Sequence, residues 1–165
     1  MKKIVFILTI ILILNNCGGF EFVYKENNND FLIKNTTNIN VDGDDADQVY
    51  ASLRDVVGDE EDNPKYKLLV NSLKNESAAV INKDATASKF KIKYSINYDL
   101  YNLYKNCKVF NKEITTVSTY NTKAAGYSFG TDLSQKESAV QNINNNINEF
   151  ISSLNQLLNI DSCDG

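Results

Sequence analysis

The sequence predicts a small α+β domain: a mostly antiparallel four-stranded sheet with two helices on one face, in the order strand, helix, three strands, helix. Three observations predict it. Phe90, Ile92, Tyr94, Ile96 and Tyr98 alternate strictly with Lys89, Lys91, Lys93, Ser95 and Asn97, the pattern of a strand with one buried and one wet face. Ala139, Val140, Ile143, Ile147, Phe150, Ile151, Leu154, Leu157 and Leu158 recur at three and four residues, which draws one apolar stripe along a helix. Val49, Leu53, Val56 and Val57 give a shorter helical run ahead of the strands. Strands in series flanked by such helices bury their apolar face under them.

Taken in order, the chain opens with Lys2 and Lys3, an apolar run Ile4–Leu14 relieved only by Thr9, and then Asn15-Asn16-Cys17. A charged start, a short apolar middle and a cleavage region form a secretory signal. The run is well short of the ~20 residues that a membrane-spanning helix needs. Leu14-Asn15-Asn16-Cys17 resembles a bacterial lipobox, with Asn16 where a small residue is usual. Residues 1–16 are thus expected to be removed and Cys17 to carry lipid. Two or three acyl chains anchor firmly, because each buried methylene contributes ~0.8 kcal/mol.

Removal of residues 1–16 from 165 leaves 149, enough for a single domain, 17–165, with a proper core. Phe20–Tyr24 is a short apolar-aromatic patch. Phe31–Val41 reads as the first strand. Asp44-Asp45 offers an N-cap to the helix carrying Val49, Leu53, Val56 and Val57, and Gly58 stops it. Acidic residues and the only proline, Pro64, make the next loop. Tyr66, Leu68 and Val70 set a period of two that runs on toward Ile81, and Asn82-Lys83-Asp84 supplies turn chemistry. The alternating strand at Phe90–Tyr98 follows. Asn102–Lys108 turns the chain, and Val109–Tyr120 returns. Asn121–Gly130 connects to the last helix, placed at about Leu133–Leu158. Its many asparagines are modest helix formers, so packing on the sheet must hold it.

Charge is unevenly spread. The formal net charge of −4 becomes −6 once Lys2 and Lys3 leave with the signal. Nine acids stand between Val41 and Asp62 against the single Arg54, whereas ten lysines stand between Lys65 and Lys112 against Glu76, Asp84 and Asp99. In an exported protein the polyanion available to a basic region is anionic lipid, not nucleic acid. Three cysteines are an odd number. With Cys17 acylated, Cys107 and Cys163 remain as a disulfide candidate, and closing that loop stabilises by ~4 kcal/mol in the chain-entropy model.

The order of pieces resembles a known family. A lipobox cysteine leads to strand and helix, then Tyr66-Lys67-Leu68-Leu69-Val70 runs into a basic turn. Ala87-Ser88-Lys89-Phe90 opens the long alternating strand. Ser118-Thr119-Tyr120-Asn121, Tyr127-Ser128-Phe129 and an amphipathic helix close the chain. This is similar to the LPS-assembly lipoprotein LptE, of the alphaproteobacterial type. The resemblance implies an outer-membrane lipoprotein, on the periplasmic side, that plugs and helps assemble the LptD β-barrel and takes part in lipopolysaccharide transport to the outer leaflet. It places Lys83 at the basic position of the turn. A second basic position, at the start of the last helix, is not matched: Gly130-Thr131-Asp132 stands there, with Lys136 only later. Gly18 is not the aspartate that retains enteric lipoproteins at the inner membrane, in keeping with an outer-membrane address.

The residues themselves add Lys89, Lys91 and Lys93 as lipopolysaccharide-binding candidates. Side chains two residues apart on one strand lie about 7 Å apart, and ammonium groups meet phosphates as point charges. The competing reading is a solvated face that keeps the sheet soluble. The alternating aromatic and aliphatic residues are expected to be core, not an acyl-chain pocket. No catalytic residue, metal ligand set or cofactor is expected. The chain has no histidine, so the commonest general base and zinc ligand are both missing. Nothing stands ready to activate a serine, and no glycine-rich phosphate cradle is present. Asn40, Asp42, Asp44 and Asp45 lack the glycine and distal glutamate of an EF-hand. The alternative function is a free-standing periplasmic lipoprotein that binds a soluble ligand or scaffolds the envelope.

Overall fold

The computed structural model describes residues 33–59, 62–83, 87–122, 128–157 and 163. The signal sequence, Cys17 and the aromatic patch Phe20–Tyr24 lie outside the described residues, as do Phe31, Asp84 and Leu158. The element order is β1 (Thr37–Gly43), α1 (Ala46–Val57), β2 (Tyr66–Ile81), β3 (Ala87–Asn102), β4 (Cys107–Asn121) and α2 (Ser128–Asn155). The strands form one sheet in the order β1-β2-β3-β4. β1 runs parallel to β2, with α1 as the crossover, while β2–β3 and β3–β4 are antiparallel. This is the α+β arrangement that the sequence pattern implies.

Local chemistry explains the joins. β1 ends at Gly43, whose φ of 100° puts it in left-handed backbone space, and a Cβ there would collide with the Ser72 carbonyl. Asp45 holds the N-cap position of α1, but its side chain makes no cap bond. The expected Asp44-Asp45 cap is therefore corrected: backbone N–H groups of Gln48 and Val49 bond the Asp45 carbonyl at 3.0 Å, and both carboxylates are engaged elsewhere. The Asp44 carboxylate accepts the backbone N–H of Lys74 at 2.8 Å. Gly58 closes α1 at φ 85°, donating its N–H to Arg54. β1 begins later than expected, because Ile33 to Thr36 form a turn, with Asn35 at φ 58° donating to the Val57 carbonyl.

The core lies between the sheet and the helices. β3 contributes Ile92, Tyr94, Ile96, Tyr98 and Leu100, all fully buried, and α2 contributes Ile143, Ile147, Phe150 and Leu154. The Phe150 ring stacks on Tyr98 with centroids 4.3 Å apart and meets Phe110 edge-on at 5.7 Å. These residues are core as expected. α2 starts five residues before its expected position and ends three before it, at Asn155; Leu157 beyond it is 37% exposed.

Two asparagines of α2 do more than the apolar stripe implies. Asn142 and Asn146 are buried under the helix. The Asn146 amide donates to the Ile114 carbonyl at 2.9 Å and the Thr116 hydroxyl at 3.0 Å, and its carbonyl accepts the Tyr98 hydroxyl at 2.8 Å. Asn142 donates to the Ile92 carbonyl at 3.0 Å. Each bond is made inside the core, where an unmade partner is expensive. At the far end Cys107 is bonded to Cys163, which ties the chain beyond α2 to the first residue of β4.

Asn146→Ala should therefore cost about 1–3 kcal/mol, the penalty for stranding buried polar groups. Asn145→Ala, at the exposed neighbouring position, should stay within about 0.5 kcal/mol. Urea unfolding of the two variants decides this, and equal effects would mean the buried bonds are not what seats the helix.

Candidate functional site

Both helices pack on the side of the sheet that carries Tyr66, Leu68, Tyr94 and Tyr98, so the odd-numbered residues of β3 face away from them. Lys89, Lys91 and Lys93 stand there in a row. Lys91 and Lys93 are exposed and Lys89 is half-buried. Their cross-strand neighbours are Val80, Ser77 and Asn75 on β2 and Asn121, Thr119 and Val117 on β4. No carboxylate is opposite any of the three. The face carries its acids toward the other end: Asp99 pairs with Lys108 at 2.7 Å and accepts the Asn111 amide at 2.7 Å. Burial raises the Asp99 pKa, but hydrogen bonds from Lys108 and Asn111 outweigh it and leave the carboxyl below its ordinary value.

Lys83 is exposed in the turn after β2, at the end of the sheet where Ile81 pairs with Ala87. The structure thus brings Lys83 to the same end as the lysine row and places the Cys107–Cys163 bond at the opposite end. Val80 and Ile81 are 46% and 66% exposed beside this turn. Cationic and apolar groups are neighbours at that tip.

On the helix side, a second constellation escaped the sequence reading. Lys74 and Glu76 continue the phase of Tyr66, Leu68, Val70 and Ser72, so β2 turns them toward the helices. Lys74 pairs with Asp45 at 3.1 Å, and the Tyr94 hydroxyl donates to the same carboxylate. Glu76 accepts the Tyr120 hydroxyl and the Gln135 amide, the latter at 2.9 and 3.1 Å. A cleft of about 290 Å³ opens over Asp45, Lys74, Tyr94 and Gln135, walled by Ala139, Val140 and Ile143 of α2. The signal was present: a tyrosine in a buried phase needs a partner for its hydroxyl, and Lys74 and Glu76 sit in the buried phase of β2. Burial pushes Tyr94 and Tyr120 up, and the hydrogen bonds to Asp45 and Glu76 push the same way. Asp45 moves down: burial raises it, but the bonds from Tyr94 and Lys74, with the Lys74 charge, win. The arrangement is a set of mutual locks between β2, β3, β4 and the helices. Among the described residues no group of acids, cysteines or histidines is placed to hold a metal ion, and no helix is long and apolar enough to cross a membrane.

Fold and face together define a class: a four-stranded α+β domain with one side of its sheet under two helices and the other left open and lysine-bearing. No family model matches the chain, and no curated protein matches it. Solved structures do. A Caulobacter crescentus CB15 protein provisionally classed as a lipoprotein shares 15% identity over 73% of this chain and 88% of its own, with a TM-score of 0.55. Uncharacterized lipoprotein B from Nitrosomonas europaea shares 7% identity over 72% of this chain and 84% of its own, with a TM-score of 0.53. At such identities the likeness is one of fold, shared with proteins described as lipoproteins.

Asp45 and Asp99 ionise more readily in the folded chain than in the unfolded one. The stability they lend is complete above the ordinary carboxylate value of 3.8 and is lost as pH falls through their lower folded values. Asp45→Asn should be less stable than wild type at neutral pH, and the gap should close in acid well below 3.8. Urea midpoints across that range check it. A gap that widens in acid would reverse the assignment.

Proposed function

We propose that the chain is an outer-membrane lipoprotein, anchored through Cys17 on the periplasmic side. In this reading it plugs and helps assemble an LptD-type β-barrel and contacts lipopolysaccharide during transport to the outer leaflet. The observation that carries the reading is the lysine row Lys89, Lys91 and Lys93 on the face away from the helices, with no carboxylate opposite any of the three among the described residues and Lys83 at the same end. Strand ammonium groups that face no carboxylate across the sheet among the described residues are ready to meet phosphate. The exposed Val80 and Ile81 beside them suit a ligand that joins phosphates to acyl chains. The ordering of elements resembles LptE, and proteins classed as lipoproteins share the fold. The lipobox-like Leu14–Cys17 and the signal before it support the anchor and the address. The role is one of binding and assembly, not catalysis, and calls for no cofactor.

Two measurements test this. Metabolic labelling with a fatty-acid analogue should mark the protein, and Cys17→Ser should abolish the label; label persisting on Cys17→Ser would remove the anchor. For the face, lipopolysaccharide binding by wild type, Lys83→Gln and the Lys89/Lys91/Lys93→Gln triple variant should be compared at two salt concentrations. Substitutions at exposed positions such as Lys83, Lys91 and Lys93 usually change stability by under ~0.5 kcal/mol, and glutamine keeps most of the side-chain length at the half-buried Lys89. The triple variant should bind clearly less, with a shallower loss on adding salt, because screening acts on the charges removed. Equal binding by all three at both salts would leave the lysines as a solvated face. Co-purification of a large barrel in mild detergent separates the plug from a free-standing lipoprotein.

A further inference from the structure

The two edges of the sheet are protected very differently. β1 is seven residues long, carries Asp42 and ends in glycine, three devices that discourage pairing with another strand. β4 is fifteen residues long and, among the described strands, pairs with β3 alone. Its stretch Ile114-Thr115-Thr116-Val117-Ser118-Thr119-Tyr120 has no charge, no proline and no glycine, and every residue in it except Ser118 is β-branched or aromatic. α2 bonds it through the hydroxyls of Thr116 and Ser118 and the Asn146 amide on the core side, and reaches the edge itself at one point, where Ser138 bonds the Thr119 carbonyl. Such a segment is a template for strand addition.

The backbone phase shows which groups are free. The Thr122 N–H bonds the Ser88 carbonyl, and antiparallel ladders alternate. The even-numbered residues of β4 therefore spend their N–H and C=O on β3, while Glu113, Thr115, Val117, Thr119 and Asn121 point theirs outward. Among the described residues one of these outward groups has a partner, the Thr119 carbonyl, which accepts the Ser138 hydroxyl at 3.3 Å, and a carbonyl has a second lone pair. The side chains at these positions lie on the open face, with Val117 54% exposed.

We infer that the occupant of this edge is a second copy of the chain, its β4 antiparallel to the first and centred on Val117, so that the two sheets become one. The register is self-complementary. Val117 faces its twin, Thr115 faces Thr119, and Glu113 faces Asn121, each an outward pair able to exchange both backbone bonds. Apolar meets apolar, hydroxyl meets hydroxyl as in favourable cross-strand pairs, and neither Glu113 nor Lys112 meets a like charge, Lys112 lying opposite Thr122. A pairing that maps a surface onto itself closes as a two-fold dimer instead of growing into a fibre. This inference is separate from the barrel reading and from the lysine row.

The test is register-specific cross-linking of the full chain in mild detergent under a gentle oxidant. Paired Cα atoms in a bonded antiparallel pair sit about 5.5 Å apart, within disulfide reach. Val117→Cys should give a reducible covalent dimer. Thr115→Cys, which faces Thr119 of the other copy, should stay monomeric, and Thr115→Cys with Thr119→Cys should restore the dimer. Wild type should run at twice the monomer mass in light scattering at high concentration. Val117→Lys, which sets two charges face to face at an exposed position, should return it to monomer mass with an unchanged circular dichroism spectrum. A wild type that stays monomeric throughout overturns the inference. So does Thr115→Cys linking as readily as Val117→Cys, or the thiol of Val117→Cys bonding to a different polypeptide in place of its twin.

Discussion

The seating of α2 on β3 and β4 is the interaction on which the other features of the domain depend. A helix rich in asparagine has little intrinsic tendency to form, and α2 forms because one side of it is taken up by the sheet. Phe150 stacks on Tyr98, and one turn away Asn146 bonds both that tyrosine and the backbone of β4. The apolar contact supplies attraction without direction. The amide supplies direction, because its donor and acceptor are satisfied together only when the helix lies at one position along the strands. With α2 fixed there, one face of β3 is committed to the core and the lysine face is left to solvent.

Much of this was legible in the sequence, and the reason is periodic. A two-residue repeat over β3 and a three-to-four repeat over α2 each declare which side is buried, and burial then dictates layers. The order of the strands within the sheet, with β1 parallel to β2 at one edge, comes from the structure. What escaped was polar. Asn142 and Asn146 read as weak helix formers, since no one-dimensional pattern distinguishes Asn146, buried and bonded, from Asn144 and Asn145, which are exposed. The expected side-chain cap from Asp44-Asp45 fails for the same reason: a carboxylate before a helix is usually a cap, but here Lys74 and Tyr94 compete for Asp45 from strands distant in sequence and win.

The site was legible to a similar depth. That Lys89, Lys91 and Lys93 share a face follows from alternation alone. That no acid stands opposite them needs the register, which sets Ser77 and Thr119 beside Lys91 and Asn75 and Val117 beside Lys93. The helix-side cluster around Lys74 and Glu76 could have been found by extending the buried phase of β2 beyond Val70, where charged residues continue an apolar series. Such residues in phase with a core mark the place where the core ends and a partner or a hydrogen-bonded lock begins.

The division of charge gains a physical meaning from this geometry. The acidic segment before Pro64 includes β1 and α1, at one edge of the sheet, while the lysine row lies on the open face of β3. Lys74, by contrast, is drawn across to Asp45, and there it fastens β2 to the start of α1. Had the other lysines been distributed to meet the acids, the domain would have gained several surface ion pairs, each contributing little in water. Kept apart, the same charges make the Lys89–Lys93 end of the open face positive, while Asp99 lies toward the other end, and attraction to a phosphate-bearing surface falls off only over the screening length of the medium. Segregation thus gives up little stability, because exposed pairs offer little, and it leaves the open face of the sheet with a charge that acts at a distance.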